Sequence, residues 1–240
     1  PDLEVVPNVP SKEIIKAFSF GDEQLTFRYH GYMMQFLGDT FGRVTPLRDY
    51  DYEKLSRWWN LLDDIDSKSD LIVYVVTYYF GSSQEGKRDL PYVLDFIEAH
   101  ADKNPEDKWW WYGQGVYISK FELDDYDRAL RLAEKLENLP QDLDMPIWTR
   151  QLRMFLYEDK GEYSQACDMI INVLRSYGDS KITNGEMNFI YYFIQERLTA
   201  MIEADGSIED ANISDECKYL IEVKKAEDLA AEANKINTKK

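Results

Sequence analysis

The chain contains 240 residues, of which 44% are hydrophobic and 14% aromatic, and it carries a formal net charge of −17 at pH 7. This length allows one large domain or two small ones. The negative charge argues against a nucleic-acid partner and against direct binding to anionic lipid, because both of these are negatively charged themselves. A protein or peptide partner with basic segments remains favoured.

The start of the chain is rich in proline. The first ten residues, PDLEVVPNVP, include three prolines and are predicted to form an extended linker. Such a linker is typical of the connection to a membrane anchor upstream of Pro1, although removal of an initiator Met would explain the same start. No apolar run long enough to span a bilayer follows. We therefore expect a membrane-anchored soluble domain in the periplasm, with a cytoplasmic protein as the alternative.

Two helices are predicted before the repetitive part of the chain. Residues 11–18 form a short helix capped by Ser11, and residues 22–39 form a longer one, the first helix of a first hairpin. The loop at residues 39–51 is long for a hairpin turn, so it is either a packing excursion or a functional loop. The longer helix carries apolar side chains at helical spacing: Leu25, Tyr29, Tyr32, Met33 and Phe36.

Four helical segments recur at a spacing of 37 residues, beginning at Tyr52, Asp89, Tyr126 and Tyr163. Apolar residues occupy the fourth, eighth and eleventh positions of each segment, which together form one face of a helix. Self-similarity at a fixed period is the signature of an α-solenoid, in which neighbouring helical hairpins bury each other's apolar faces. The sequence therefore predicts an all-α fold built from these hairpins.

The first helix of each hairpin lies between the recurring segments. Residues 70–80 are rich in β-branched and aromatic side chains and could form a buried strand, but their position in the repeat favours a helix. In the next hairpin, Asn104 is a candidate helix cap, and Gly113 and Gly115 predict close approach of a neighbouring helix. Asp124 and Asp125 provide the turn and the cap of the second helix. Pro146 begins a further first helix that ends before Gly161.

These hairpins resemble the tetratricopeptide (TPR) family. Its Trp, Gly, Tyr, Ala and Pro positions lie near Trp111, Gly115, Tyr126, Ala129 and Pro140, if two extra residues are allowed in the turn. In the next hairpin, Gly161, Tyr163 and Ala166 match the G-x-Y-x-x-A pattern without an insertion. The family period is 34, and the first two hairpins match its pattern poorly. The resemblance covers residues 50–205 and implies a right-handed α-solenoid of TPR-like hairpins with a period of about 37 residues. Residues 18–59 also resemble a membrane-anchored bacterial repeat protein, although no motif of known chemistry supports this.

The resemblance also implies a binding surface. In tetratricopeptide arrays, the first helices line a concave face that binds peptides through aromatic anchors and amide groups. The Trp109–Trp111 triplet spans about 200° of a helix, so one of its rings is expected in the core and another in the groove or in solvent. The implied partner-binding residues are Trp109, Tyr112 and Val116 in one hairpin, Gln151 and Phe155 in the next, and Asn188 and Tyr192 in the last.

Catalytic and metal-binding motifs are absent from the sequence. His30 and His100 stand in different hairpins and are predicted to be packing or surface residues. The acidic clusters at residues 63–66 and 124–127 lack calcium-loop spacing and are interpreted as helix caps and solvated faces. Cys167 is predicted to be a small buried apolar residue, since two cysteines make neither a disulfide framework nor a metal site. We expect no metal, no cofactor and no enzyme activity.

The chain is accordingly divided into a linker at residues 1–10, a TPR-like repeat domain at residues 11–205, and an acidic loop with a C-terminal helix at residues 206–240. That helix would cap the solenoid or become ordered on a partner. The leading hypothesis is a non-enzymatic scaffold or adaptor that binds a protein or peptide beside a membrane. The alternatives are a structural subunit of a larger complex, and an enzyme or small-ligand protein that uses the acidic turns or the loop at residues 39–51.

Overall fold

The structure, a computed structural model, describes residues 5–19, 21–40, 43–82, 87–176 and 183–223. These residues are predominantly helical, which confirms the all-α prediction. Among them, β-structure is limited to a two-residue antiparallel pairing of β1 (Asp39–Thr40) with β2 (Arg43–Val44). No helix of the described segments is both long and apolar enough to cross a membrane. The chain divides into two compact units, Pro1–Leu143 and Asp144–Lys240.

The first unit contains seven α-helices in its described residues. Two of them continue without a break into π-helical segments, in which the backbone hydrogen bond joins residues five apart, as from Gly81 N–H to the Val76 carbonyl at 2.8 Å. The elements are α1 (Lys12–Phe18), α2 (Glu23–Met33), α3 (Tyr52–Ile65), α4 (Leu71–Val75), π1 (Val76–Phe80), α5 (Leu90–Lys103), α6 (Pro105–Tyr117), π2 (Ile118–Glu122) and α7 (Tyr126–Glu137).

Short polar side chains begin several of these helices. Ser11 accepts a hydrogen bond from Ile14 N–H at the start of α1, and Asp125 accepts one from Arg128 N–H at the start of α7, as predicted. Asn104 makes no such bond at the start of α6, where Pro105 occupies the first helical position. The segment at residues 70–80 is helical, through α4 and π1, so the prediction of a helix over a strand is confirmed.

The core of the first unit centres on Trp59 of α3. Its ring lies 5.3 Å from the Phe80 ring at the end of π1 and 5.9 Å from the Phe96 ring of α5. The glycine at position 115 lets α6 pack closely on α7, since a Cβ atom there would lie 2.8 Å from Leu132 Cδ1 and the end of that side chain would have to move. A Cβ atom at Gly113 would meet nothing within 4 Å. The predicted close approach is therefore correct for Gly115 and wrong for Gly113, because only one of the two faces α7.

The Pro-rich start packs against the first unit from Val6 onward. The Val6 side chain is buried, and the indole N–H of Trp58 in α3 donates to the Pro7 carbonyl at 2.9 Å. Further along, the Lys12 ammonium donates to the Asp64 carbonyl at 2.8 Å. These contacts place Pro7 and Lys12 beside α3.

The second unit contains six α-helices in its described residues. The predicted helix after Pro146 is interrupted at Gln151, which has φ −100° and ψ 4°. Thr183 and Glu186 form a capping box at the start of the helix that follows. The elements are α8 (Ile147–Arg150), α9 (Leu152–Asp159), α10 (Tyr163–Ser176), α11 (Asn184–Tyr192), π3 (Phe193–Leu198), α12 (Thr199–Asp205) and α13 (Asp215–Glu222).

A disulfide joins two helices in the core of the second unit. Cys167 of α10 and Cys217 of α13 are both buried and bonded to each other, with their Cα atoms 6.0 Å apart. The prediction of a buried Cys167 is correct, but its pairing was missed because the two cysteines are 50 residues apart in sequence. The predicted C-terminal helix lies mostly at residues 224–240, outside the described residues.

Candidate functional site

The largest group of exposed apolar side chains in the described residues lies on α2 with the 3-10 turn that follows it (Met34–Phe36), on α4 with π1, and on α6 with π2. We call this group the aromatic face. Three i, i+4 ring pairs form it, with ring centroids 4.9 Å apart for Tyr32 and Phe36, 5.6 Å for Tyr74 and Tyr78, and 5.0 Å for Tyr117 and Phe121. It consists of Leu25, Tyr29, Tyr32, Met33, Phe36, Leu71, Tyr74, Tyr78, Trp110, Tyr117 and Phe121.

On α2, the aromatic face is the apolar stripe that the sequence contains at helical spacing. The stripe is exposed, because α2 packs on its neighbours through the opposite side, with Thr26, Phe27 and Gly31 buried. A Cβ atom at Gly31 would lie 3.0 Å from Ile72 Cδ1 of α4. The glycine therefore lets α2 approach α4 closely while the aromatic rings remain exposed.

The three parts of the aromatic face belong to neighbouring helices. The Tyr79 hydroxyl of π1 donates to the Gln35 carbonyl, beside Phe36, at 3.1 Å. The Tyr74 ring of α4 contacts the Trp111 ring of α6 edge to face, with centroids 4.9 Å apart. These contacts join α2 to π1 and α4 to α6, so the exposed rings lie on adjacent helices of one unit.

Of the residues predicted in α6, only Trp109 is partly exposed, and its ring contacts that of Trp110 at 5.9 Å. Tyr112 and Val116 are 2% and 5% exposed, so the prediction that they line an open face is wrong. The exposed rings of this helix are instead those of Trp110, which follows Trp109, and of Tyr117, which follows Val116. A shift of one residue rotates a helical side chain by about 100°, which moves it from the surface into the core.

The tryptophan triplet is divided as expected. Trp111 is 2% exposed and lies in the core, whereas Trp110 is 42% exposed on the aromatic face. The Trp111 indole N–H donates to Asp70 Oδ1 at 3.1 Å, which holds α6 against the start of α4. The buried tryptophan thus fixes the position of the exposed one.

The binding residues predicted in the second unit also include both buried and exposed side chains. Gln151 is 2% exposed at the interruption between α8 and α9, so its prediction as an exposed residue is also wrong. Phe155 is half-buried, with its ring 5.8 Å from that of Phe189. Asn188 and Tyr192 are exposed one turn apart on α11. The structure therefore brings Asn188 and Tyr192 together at a surface, without Gln151.

A second cluster, the charge network, consists of Asp63, Asp70, His100, Lys103 and Lys108. His100 is fully buried, with Nδ1 2.6 Å from Asp63 Oδ1 and Nε2 3.2 Å from Asp70 Oδ1. The Lys103 ammonium lies 2.7 Å from Asp63 Oδ2, and the Lys108 ammonium lies 2.6 Å from Asp70 Oδ1. The network joins α3, α5 and α6 to the residue that precedes α4.

The two carboxylates of the charge network are stabilised in their charged form. Burial by itself would raise the pKa of Asp63, but hydrogen bonds from His100 and Lys103 outweigh it and lower that pKa below its ordinary value. Burial likewise opposes the charge of Asp70, and hydrogen bonds from Lys108, Trp111 and His100 lower its pKa. His100 has no exposed surface, so its ring joins helices inside the core, whereas the side chains of Asp70 and Lys103 are 42% and 33% exposed.

The charge network was missed in the sequence, where Asp63 was interpreted as part of a solvated acidic cluster. A signal was present: Asp63 follows Leu55, Trp59 and Leu62 on the same face of α3, and His100 lies 37 residues later, at the equivalent repeat position. His30 agrees with its prediction as a packing residue, since its ring stacks on Trp58 with centroids 5.5 Å apart.

An open cleft of about 540 Å³ lies within the second unit. The hydroxyl of Tyr163 donates to Asp205 Oδ2 at 3.1 Å at this cleft. Across the described residues, no group of three or more His, Cys, Asp or Glu side chains is arranged to hold a metal ion. The cleft contains none of the predicted binding residues and is lined by Glu158, Asp159, Lys160, Gly161, Tyr163, Met201, Ala204 and Asp205.

No protein-family model, curated protein or solved structure matches this chain. The functional assignment therefore depends on the residues of the chain itself, and the aromatic face is the feature that carries it.

Proposed function

We propose that the protein is a non-enzymatic scaffold or adaptor that binds a protein or peptide partner through the aromatic face. The observation that carries this proposal is the exposure of three aromatic pairs on three neighbouring helices of the first unit. Exposed contiguous apolar patches are uncommon on monomeric proteins and mark interaction sites. Tyrosine and tryptophan are also the residues that contribute most to binding energy at protein interfaces.

The rigidity of the underlying helices favours this role. The exposed rings project from elements whose opposite sides are buried, so a partner would lose little by ordering them. The adjacent second helices are held by ion pairs, in which Arg128 of α7 lies 3.1 Å from Glu98 of α5 and Lys135 of α7 lies 2.6 Å from Asp102 of α5. We propose that these hairpins form a right-handed, TPR-like α-solenoid with a period of about 37 residues, with the aromatic face on its concave side.

The surroundings proposed for the domain are oxidising. Disulfides persist in the periplasm and in other oxidising compartments and are rare in the cytosol. The buried bond between Cys167 and Cys217 therefore supports an oxidising compartment such as the periplasm over the cytoplasmic alternative.

The proposal is tested by a crosslinked pull-down from the native source. The wild-type protein is compared with a variant that carries Tyr32→Ala, Tyr74→Ala and Tyr117→Ala, all at exposed positions. Because the Tyr74 ring also contacts the buried Trp111, thermal unfolding must first show that the variant remains folded. The matched control carries Trp148→Ala and Tyr219→Ala, which remove exposed rings from the second unit. We expect the aromatic-face variant to lose the partner and the control to retain it, with both giving the wild-type circular dichroism spectrum.

Two results would contradict this assignment. Equal recovery of the partner by the aromatic-face variant would exclude the aromatic face as the binding surface. Loss of the partner only in the control would favour a structural subunit that assembles through the second unit.

A further inference from the structure

The loop between α12 and α13 contains the sequence Asn212–Ile213–Ser214. Asparagine followed two positions later by serine or threonine, with any residue except proline between them, is the acceptor sequence for N-linked glycosylation. No other asparagine of the chain is followed in this way. Three such residues also occur together by chance, so the surroundings of Asn212 decide whether it can accept a glycan.

The packing of the loop turns Asn212 outward. Ala211 and Ile213, on either side of it, are partly buried against the hydrophobic core of the second unit, as is Ile208 earlier in the loop. The Ile213 N–H donates to the Ala211 carbonyl at 2.8 Å, which closes a three-residue turn centred on Asn212. Asn212 itself is exposed. Its neighbours thus anchor the loop and leave the Asn212 side chain facing solvent.

The amide group of Asn212 is also free. Its side chain forms no hydrogen bond with any residue that the structure describes. Other exposed asparagines differ, because the Asn60 amide donates to the Ser56 carbonyl at 2.8 Å and the Asn104 amide donates to Asp107. The Nδ2 atom of Asn212 is therefore available to form a bond to another molecule.

Ser214 completes the acceptor sequence at the start of α13. It is exposed, and its Oγ accepts a hydrogen bond from the Cys217 N–H at 3.3 Å, so it is the N-cap of this helix. Accepting that bond uses a lone pair of the oxygen and leaves the O–H donor free. The helix cap thus holds the serine on the surface, two residues after the exposed asparagine.

The disulfide indicates the same environment as the acceptor sequence. N-linked glycans are found on surface loops of secreted proteins. The bond between Cys167 and Cys217 lies three residues after Ser214, and disulfides persist in oxidising compartments outside the cytosol. These two observations are independent, because one depends on sulfur chemistry and the other on an exposed amide.

We propose that Asn212 is an N-glycosylation site. The donor is an oligosaccharide linked to a lipid through pyrophosphate, and an oligosaccharyltransferase supplies the catalysis. The Nδ2 atom of Asn212 forms a bond to C1 of the first sugar, the bond from C1 to the pyrophosphate oxygen breaks, the lipid pyrophosphate leaves, and the amide nitrogen loses one proton. This inference goes beyond the proposed binding function and shares with it the oxidising compartment. A glycan is bulky and polar, so it would keep partners away from the exposed side of this loop.

Mass spectrometry of the protein purified from its native source tests this inference. After reduction of the disulfide, trypsin releases residues 198–218 as one peptide that contains Asn212. We expect the mass of this peptide to exceed that of its sequence by a whole number of sugar residues, with fragment ions that place the sugar on Asn212. Detection of the unmodified peptide alone would overturn the inference, whichever compartment contains the protein.

Variants produced in the same cells assign the modification to the acceptor sequence. Asn212→Gln and Ser214→Ala should each lose the whole additional mass, whereas Ser214→Thr, which preserves both the acceptor sequence and the helix cap, should retain it. Ser214→Ala also removes the cap of α13, but Asn212→Gln removes no contact, so loss of the glycan in both variants does not result from misfolding. The matched control is Asn188→Gln, at an exposed asparagine outside an acceptor sequence, which should retain the glycan. A glycan that persists in Asn212→Gln would overturn the inference.

Discussion

The two compact units hold their helices together by different means. In the first unit, the buried side chains of Asp63, His100 and Lys108 join helices through hydrogen bonds and ion pairs inside the fold. In the second unit the hydrophobic core cluster includes the disulfide between Cys167 and Cys217, and the buried polar residues Thr149, Arg150 and Gln151 lie around the interruption between α8 and α9. The stability of the first unit therefore depends on the protonation of Asp63 and on its pairing with charged groups. The stability of the second unit depends on whether the two cysteines are oxidised.

The two units share one local feature. Each has a first helix that continues into a π-helical segment, as in π1 and π2 of the first unit and π3 of the second. Their surfaces differ, because the first unit exposes paired rings on three helices and α11 of the second exposes Tyr192 beside Asn188. Helices that continue into a π-helical segment thus carry different exposed side chains in the two units.

The largest expected effect tests the charge network. Asp63→Ala leaves the buried His100 ring without its Nδ1 partner and should destabilise the first unit by about 3–5 kcal/mol. The control Asp64→Ala removes the neighbouring carboxylate, which is 56% exposed, and should cost less than about 1 kcal/mol. Urea unfolding followed by tryptophan fluorescence measures both, since five of the six tryptophans precede residue 144. Equal losses of unfolding free energy in the two variants would show that burial of the Asp63 carboxylate does not increase its contribution to stability.

The disulfide is the corresponding test for the second unit. Cys167→Ala with Cys217→Ala should destabilise this unit by about 2–4 kcal/mol, because the bond constrains a loop of 50 residues in the unfolded chain. Limited proteolysis with mass spectrometry should detect new cleavage within residues 144–223 and an unchanged pattern before residue 144. Alkylation of the protein from its native source should find no free thiol; two free thiols there would contradict the oxidising compartment.

As the pH falls, the loss of stability should begin in the first unit. The folded-state pKa values of Asp63 and Asp70 are lowered, so their contribution to stability is present above their unfolded pKa and is lost as the pH falls through the folded values. Since the unfolded pKa of aspartate is about 3.9, we expect this loss below about pH 4. Hydrogen exchange at decreasing pH should show α3, α5 and α6 losing protection, and Asp63→Asn should reduce the pH dependence. Unchanged pH dependence in that variant would exclude Asp63 as its source.

The smallest expected effect compares two glycines of α6. Gly113→Ala should stabilise the first unit by about 0.5–1 kcal/mol, because it improves helix propensity and the new Cβ meets nothing within 4 Å. At Gly115 the same substitution should give no gain or a small loss, since its Cβ would lie 2.8 Å from the end of the Leu132 side chain. Thermal unfolding of the two variants measures the difference; equal stabilisation would show that α6 is not tightly packed on α7.

Much of the local structure could be predicted from the sequence. The caps at Ser11 and Asp125, the helix at residues 70–80 and the division of the Trp109–Trp111 triplet all follow from residues close together in the chain. The apolar residues of α2 were also identified as a stripe at helical spacing, but the sequence did not show that this stripe faces solvent. Helical periodicity groups residues on one side of a helix, but it does not say whether that side meets a neighbour or solvent.

By itself, the sequence determined the helical class, the approximate helix boundaries and the acidic, aromatic character of this protein. The tertiary structure alone decided that Tyr112 and Val116 are buried and that the neighbouring Tyr117 is exposed, since one residue along a helix turns a side chain by about 100°. It also paired Asp63 with His100 and Cys167 with Cys217. Such pairs join residues 37 and 50 positions apart, and they form only when packing of whole helices brings distant side chains together.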